Sequence, residues 1–146
     1  MKSVKVGIAL AVTAAAVALA PPAGAAMPIG NYSLNIEGRR DFHTWIWAVA
    51  WCEPNCVLVS ALAQPIAKAF QFTQTAQLAD GRYAMTVDDP YGLRCGNIYY
   101  GPTIPTRDVY TWDAATLVGS MTSSFDAGCD GAPGGAFTYP FNLTRW

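Results

Sequence analysis

From Asn31 to Thr144 turn-forming clusters interrupt the chain at close spacing, and between them apolar and polar residues alternate. That pattern leaves room for short strands and little room for helices. In Asn31 to Glu37, Tyr32, Leu34 and Ile36 alternate with Asn31, Ser33, Asn35 and Glu37, as in a half-buried strand. Gly38-Arg39-Arg40-Asp41 reads as a turn. Phe42 to Trp51 is apolar on both faces, with Trp45, Trp47, Val49 and Trp51 on one side and Phe42, Ile46, Ala48 and Ala50 on the other. Such a strand sits centrally or has its second face covered. Cys52-Glu53-Pro54-Asn55-Cys56 is a tight reversal, and Val57 to Ala63 returns from it.

Ala69 to Leu78 and Arg82 to Val87 flank the hairpin signal Ala79-Asp80-Gly81. Asp88-Asp89-Pro90-Tyr91-Gly92 closes the second of these strands, and residues 92–107 read as irregular. Val109 to Trp112 and Leu117 to Phe125 form another hairpin, turning at Asp113-Ala114-Ala115-Thr116. Asp126 to Gly135 is a glycine-rich loop. The last strand, Ala136 to Thr144, sets Phe137, Tyr139, Phe141 and Leu143 on one face. The expected fold is all-β: about eight short, mostly antiparallel strands in one small sandwich or barrel.

The first 25 residues stand apart. Lys2 and Lys5 precede an uncharged run from Val6 to Ala20, Pro21-Pro22 ends it, and Ala23-Gly24-Ala25 offers small residues to a signal peptidase. This reads as a secretory signal helix at 1–25, cleaved near Ala25, ahead of a single β domain at 26–146. The 15-residue run is short of the roughly 20 a spanning helix needs, so no stable membrane span is expected after cleavage. Two of the nine Lys and Arg leave with the signal, and the remaining seven face ten Asp and Glu, a net charge of −3. The basic residues are scattered apart from Arg39-Arg40, so nucleic-acid binding is not expected.

Export favours disulfides for the four cysteines. Cys52 and Cys56 flank the proline turn and pair across it, which leaves Cys95 for Cys129. A metal or redox site would want a second close pair, or a two-residue spacing in a βαβ unit. No metal and no cofactor are expected.

His43 is the single histidine and shares a strand face with Asp41. A hydrolase using Asp41 and His43 would also need a serine in a nucleophile context, and no G-x-S-x-G is present. Asp88, Asp89, Asp126 and Asp130 are carboxylate candidates for glycoside hydrolysis or calcium, but they fall at positions that read as turns. No catalytic residue is assigned. The aromatics Trp45, Trp47, Trp51, Tyr99, Tyr100 and Trp112 are the binding candidates, because indole and phenol rings join apolar area to a polar handle. For any single one of these rings a place in the core is the simpler reading. Asn31-Tyr32-Ser33 and Asn142-Leu143-Thr144 match the glycosylation sequon but lie in strands.

Six segments together carry a likeness: Gly30 to Trp45 (GxYxLxIxGRxDFHTW), CEPNC, AQLADGRY, YTWDAATLVGS, AGCDGAPGG and YPFNLTRW. In this order they resemble small exported proteins of mycobacteria and related actinobacteria, whose function is unassigned. The resemblance implies secretion and a disulfide-linked β domain, and it brings no catalytic residue. The leading expectation is a secreted, non-catalytic binding or interaction protein at the cell envelope or outside the cell, with envelope lipid or glycan as candidate ligands. The alternatives are the small extracellular hydrolase and a structural or host-facing surface protein without a pocket.

Overall fold

The computed structural model describes residues 26–39, 46–63, 70–96 and 101–146. They form β1 (Gly30–Ile36), β2 (Ile46–Cys52), β3 (Cys56–Leu62), β4 (Phe72–Ala79), β5 (Arg82–Arg94), β6 (Thr103–Asp113), β7 (Val118–Ala127) and β8 (Pro133–Arg145). Each strand pairs antiparallel with its sequence neighbour and β8 returns to β1, so the sheet closes as an eight-stranded barrel. The expected all-β fold is therefore present, as a barrel rather than a sandwich. The expected signal helix at 1–25 lies outside the described residues.

The two ends differ. At one end, here the turn end, the connections are 53–55, 80–81 and 114–117; at the other, the loop end, they are 37–45, 63–71, 95–102 and 128–132. Local chemistry explains the tight end. Cys52 and Cys56 face each other in the ladder and are bonded, with Cα atoms 5.1 Å apart. Asp80 and Gly81 both take positive φ, as a two-residue hairpin of this hand requires. The Asp113 carboxylate accepts the backbone N–H groups of Ala115 and Thr116, each at 2.8 Å.

Inward positions follow the alternation. Tyr32, Leu34, Trp47, Val49, Val57, Val59, Tyr83, Met85, Tyr110, Trp112, Met121, Phe141 and Leu143 make the core. Trp47 sits at its centre, with ring centroids 5.3 Å from both Tyr110 and Trp112 and 5.8 Å from Phe141. Tyr83 stacks on Trp112 at 5.2 Å. Offset and edge contacts of this kind add to the area each ring buries. Gly119 is required here, since a Cβ would meet the Thr111 carbonyl and lie 2.6 Å from Trp112 Cβ. Met27 closes the turn end from below: its backbone N–H donates to Tyr83 Oη at 3.3 Å, and Trp112 Nε1–H donates to its sulfur at 3.4 Å.

The outer wall is largely polar. Ser60 meets Thr73, Thr122 meets Thr138, and Asn35 donates to Thr144 across neighbouring strands. Apolar inside and hydroxyl-rich outside is the inverse of a lipid-spanning barrel. β2 is the exception the sequence flagged, with Ile46 and Ala48 half-buried and Ala50 exposed on its outward face. Among the described residues no helix is long and apolar enough to cross a membrane. The two disulfides, Cys52–Cys56 and Cys95–Cys129, pair as expected and suit a protein outside the reducing cytoplasm.

Two stretches depart from expectation: the glycine-rich loop expected at Asp126 to Gly135 is shorter, since β7 runs to Ala127 and β8 begins at Pro133, and β5 and β6 are longer than expected. Asp88 to Gly92 do not end a strand: β5 continues through them to Arg94, with a register shift between Asp89 and Leu93. Residues 103–107, expected to be irregular, belong to β6. Pro90 and Pro105 are tolerated because they fall in the shift, where the ladder asks for no N–H.

Candidate recognition cleft

β6 and β7 pair only from Trp112–Gly119 to Arg107–Ser124. Beyond that point they part. β6 stays with β5 as far as Arg94–Thr103, while β7 stays with β8 as far as Ala127–Pro133. Two ribbons therefore diverge at the loop end, and the Cys95–Cys129 disulfide ties them, its Cα atoms 5.5 Å apart. Between them is a cleft of about 580 Å³ lined by residues 88–90 of β5, 105–107 of β6 and 124–126 of β7.

The cleft combines carboxylates with apolar walls. Asp88, Asp89 and Asp126 supply the charge, and Pro90, Pro105 and Phe125 the apolar surface. Phe125 is braced by Phe137, ring centroids 5.7 Å apart. Asp88 accepts from Arg107 Nε at 3.1 Å, but both side chains are mostly exposed and the pair contributes little.

Asp89 belongs to a buried polar layer beneath the cleft. Arg39 reaches down from the start of the β1–β2 connection, its Nη2 3.5 Å from Asp89 and its Nη1 3.6 Å from Asp108. The same Nη2 donates to the Gly92 carbonyl at 3.3 Å. Thr106 and Ser123 hydroxyls donate to Asp108 Oδ1 at 2.8 and 2.6 Å, and the Tyr91 N–H donates to Asp89 Oδ1 at 2.8 Å. Gly92 permits this arrangement, since a Cβ there would strike the Thr106 side chain. Tyr110 separates the polar layer from the aromatic core, and burial raises its phenol pKa well above the ordinary value.

This layer was not anticipated from the sequence. Arg39 read as part of a turn, Asp88 and Asp89 as residues closing a strand, and Thr106, Asp108 and Ser123 were not singled out. The turn reading of Asp88 and Asp89 is corrected: both lie in β5, and Asp89 is buried. A signal was present. Continuing the inward period of Trp112 and Tyr110 back along β6 lands on Asp108 and then Thr106. Asp126, expected in the glycine-rich loop, is likewise corrected, being the next-to-last residue of β7, whereas Asp130 does sit exposed in the 3-10 turn Cys129–Gly131 with φ 55°.

The aromatic candidates scatter. Trp47 and Trp112 are fully buried and belong to the core, not to a ligand surface. Trp51 shares their face but lies at the rim, where the strand ends, and is exposed; its Nε1–H donates to Glu53. Trp45, Tyr99 and Tyr100 lie outside the described residues, as do Asp41 and His43. Ser123 Oγ is committed to Asp108, and Ser124 Oγ donates to the Arg107 carbonyl at 3.2 Å. Among the described residues no group of three or more His, Cys, Asp or Glu is placed to hold a metal. Compared with protein-family models, curated proteins and solved structures, the chain matches none.

Proposed function

We propose that this chain is a secreted, non-catalytic binding protein of the cell envelope or extracellular space that takes a glycan in the cleft between the β5–β6 and β7–β8 ribbons. The observation that carries this reading is the contrast between a filled interior and an open cleft. Trp47, Tyr83, Trp112 and Met121 leave no solvent access to the barrel centre, so recognition falls to the surface. The cleft offers carboxylates that accept from sugar hydroxyls, and proline and phenylalanine surfaces that cover sugar C–H faces. Its walls are held by the disulfide at the top and the Arg39 layer below, so little ordering is left for the binding step.

Calorimetric titration with a panel of neutral and amino-sugar oligosaccharides tests it. Asp126→Asn and Phe125→Ala should each weaken a binding glycan by about tenfold or more, the worth of one good polar or stacking contact. A panel without any binder, or binding indifferent to both variants, would sink the proposal.

A further inference from the structure

The cleft between the two ribbons is rich in hydrogen-bond acceptors and poor in donors. Asp88, Asp89 and Asp126 bring carboxylates, which accept and do not donate. Pro90 and Pro105, two of the nine lining residues, have no backbone N–H. The Thr106 hydroxyl gives its hydrogen to Asp108 at 2.8 Å, and the Ser124 hydroxyl gives its own to the Arg107 carbonyl at 3.2 Å. A hydroxyl has a single hydrogen, so neither can donate again.

Arg107 is the one cationic side chain in the lining, and its Nε donates to Asp88 at 3.1 Å. Asp88 first, and Asp126 after it, hold the Arg107 guanidinium above its ordinary pKa, so two carboxylates bear on one cation. Asp89 is met from below by Arg39 at 3.5 Å. Asp126 differs from both: among the described residues its carboxylate has no hydrogen bond and no salt bridge. The next residue back, Phe125, lines the same cleft with its ring braced by Phe137. An unspent carboxylate and an apolar face therefore meet at the end of β7.

We propose that the cleft selects a glycan bearing a free, protonated amine, and that Asp126 is the residue that determines this specificity. The inference rests on the glycan reading above and names the class of sugar. An ammonium group brings donors and positive charge to a surface short of both, while the sugar's C–H face lies on Phe125. N-acetylation removes the charge and adds a carbonyl, which finds neither hydroxyl hydrogen free to meet it. A uronic acid sets a second carboxylate against Asp126. Each wrong sugar is thus rejected by an unpaired or like-charged group, which discriminates more strongly than size does.

The test is calorimetric titration of the protein with a glucosamine oligosaccharide and with its fully N-acetylated counterpart, at about pH 6, above the ordinary aspartate range. Wild type should bind the free-amine sugar about tenfold or more tightly than the acetylated one, the worth of one charge-assisted hydrogen bond. Asp126→Asn keeps the side chain's shape and loses its charge. It should bring the two sugars within about twofold of each other. Its thermal unfolding should be unchanged, because Asp126 is exposed. Phe125→Ala should weaken both sugars alike, and added salt should weaken the free-amine sugar alone. Equal or tighter binding of the acetylated sugar overturns the amine specificity and leaves the glycan reading standing. A preference that survives Asp126→Asn overturns the role of Asp126. Binding of neither sugar while another glycan binds overturns the inference, and binding of no glycan at all overturns the glycan reading with it.

Discussion

Toward the turn end Trp47, Tyr83, Trp112 and Phe141 fill the barrel with rings, whereas toward the loop end Arg39, Asp89 and Asp108 fill it with charge. The ring-filled half is stabilised by area and close packing, which are non-directional. The charged half depends on geometry. Removing charges from water is costly, and the attraction within a buried pair offsets that cost only when further hydrogen bonds complete it. Here Thr106, Ser123, the Tyr91 N–H and the Gly92 carbonyl supply them. In return Arg39 fixes the start of the β1–β2 connection against β5 and β6. The half that is harder to build is the one beneath the cleft.

The sharpest way to break the ring-filled half is Trp112→Ala. It removes a fully buried indole, its stack on Tyr83 and its bond to Met27. A loss of about 3–5 kcal/mol in denaturant unfolding is expected, a large share of a small domain's stability. A loss below about 1 kcal/mol would mean that the interior repacks freely.

The disulfides give the same comparison between the two ends. Cys95→Ala/Cys129→Ala opens a loop with a sequence separation of 34, and Cys52→Ala/Cys56→Ala one of 4. Chain-entropy reasoning gives about 3–4 kcal/mol for the first and about 2 for the second. The first should also weaken whatever the cleft binds, because it unties the two ribbons, while the second should leave binding alone. Unfolding curves and calorimetric titration of the two variants check this.

Arg39→Met then addresses the charged half directly. It leaves Asp89 and Asp108 buried without their shared cation, and about 3 kcal/mol should be lost. Asp108→Asn should cost less, about 1 kcal/mol, because the amide oxygen can still accept from Thr106 and Ser123 while Arg39 keeps Asp89. If Asp108→Asn proves the costlier of the two, Asp108 rather than Arg39 organises the layer.

The same division decides what could be read from the sequence. Tyr32 and Leu34, Trp47 and Val49, Tyr83 and Met85, Phe141 and Leu143 all point inward, as their alternation says. The hairpins at Asp80-Gly81 and Asp113 to Thr116 and the Cys52–Cys56 pair follow from turn chemistry and spacing, and Cys95–Cys129 follows by elimination. Asp89 and Asp108 were hidden because a polar residue beside proline or in a polar run looks like surface, and the alternation test scores only apolar residues. Their partner Arg39 is no easier to find, since 50 residues separate it from Asp89 and no local pattern joins them. Trp51, a binding candidate on the inward face, is exposed. Its face was right, but a period does not show where a barrel stops, and at the rim an inward position opens to solvent.

Asp113 offers the smallest effect and a control on the turn end. The backbone N–H groups of Thr116 and Ala115 hold its carboxyl below the ordinary value of 3.8. A depressed carboxylate stabilises the fold above its unfolded pKa, and that contribution fades as pH falls through the lower folded value. Wild type should therefore lose a small increment of stability below about pH 4 that Asp113→Ala lacks at every pH. Thr116 Oγ1, at 3.4 Å from the Val118 N–H, remains in the variant and keeps part of the turn. Thermal unfolding of the two proteins between pH 2 and pH 7 should give curves that converge at the acid end. Parallel curves would show that the Asp113 side chain acts as a spacer in the turn and not through its charge.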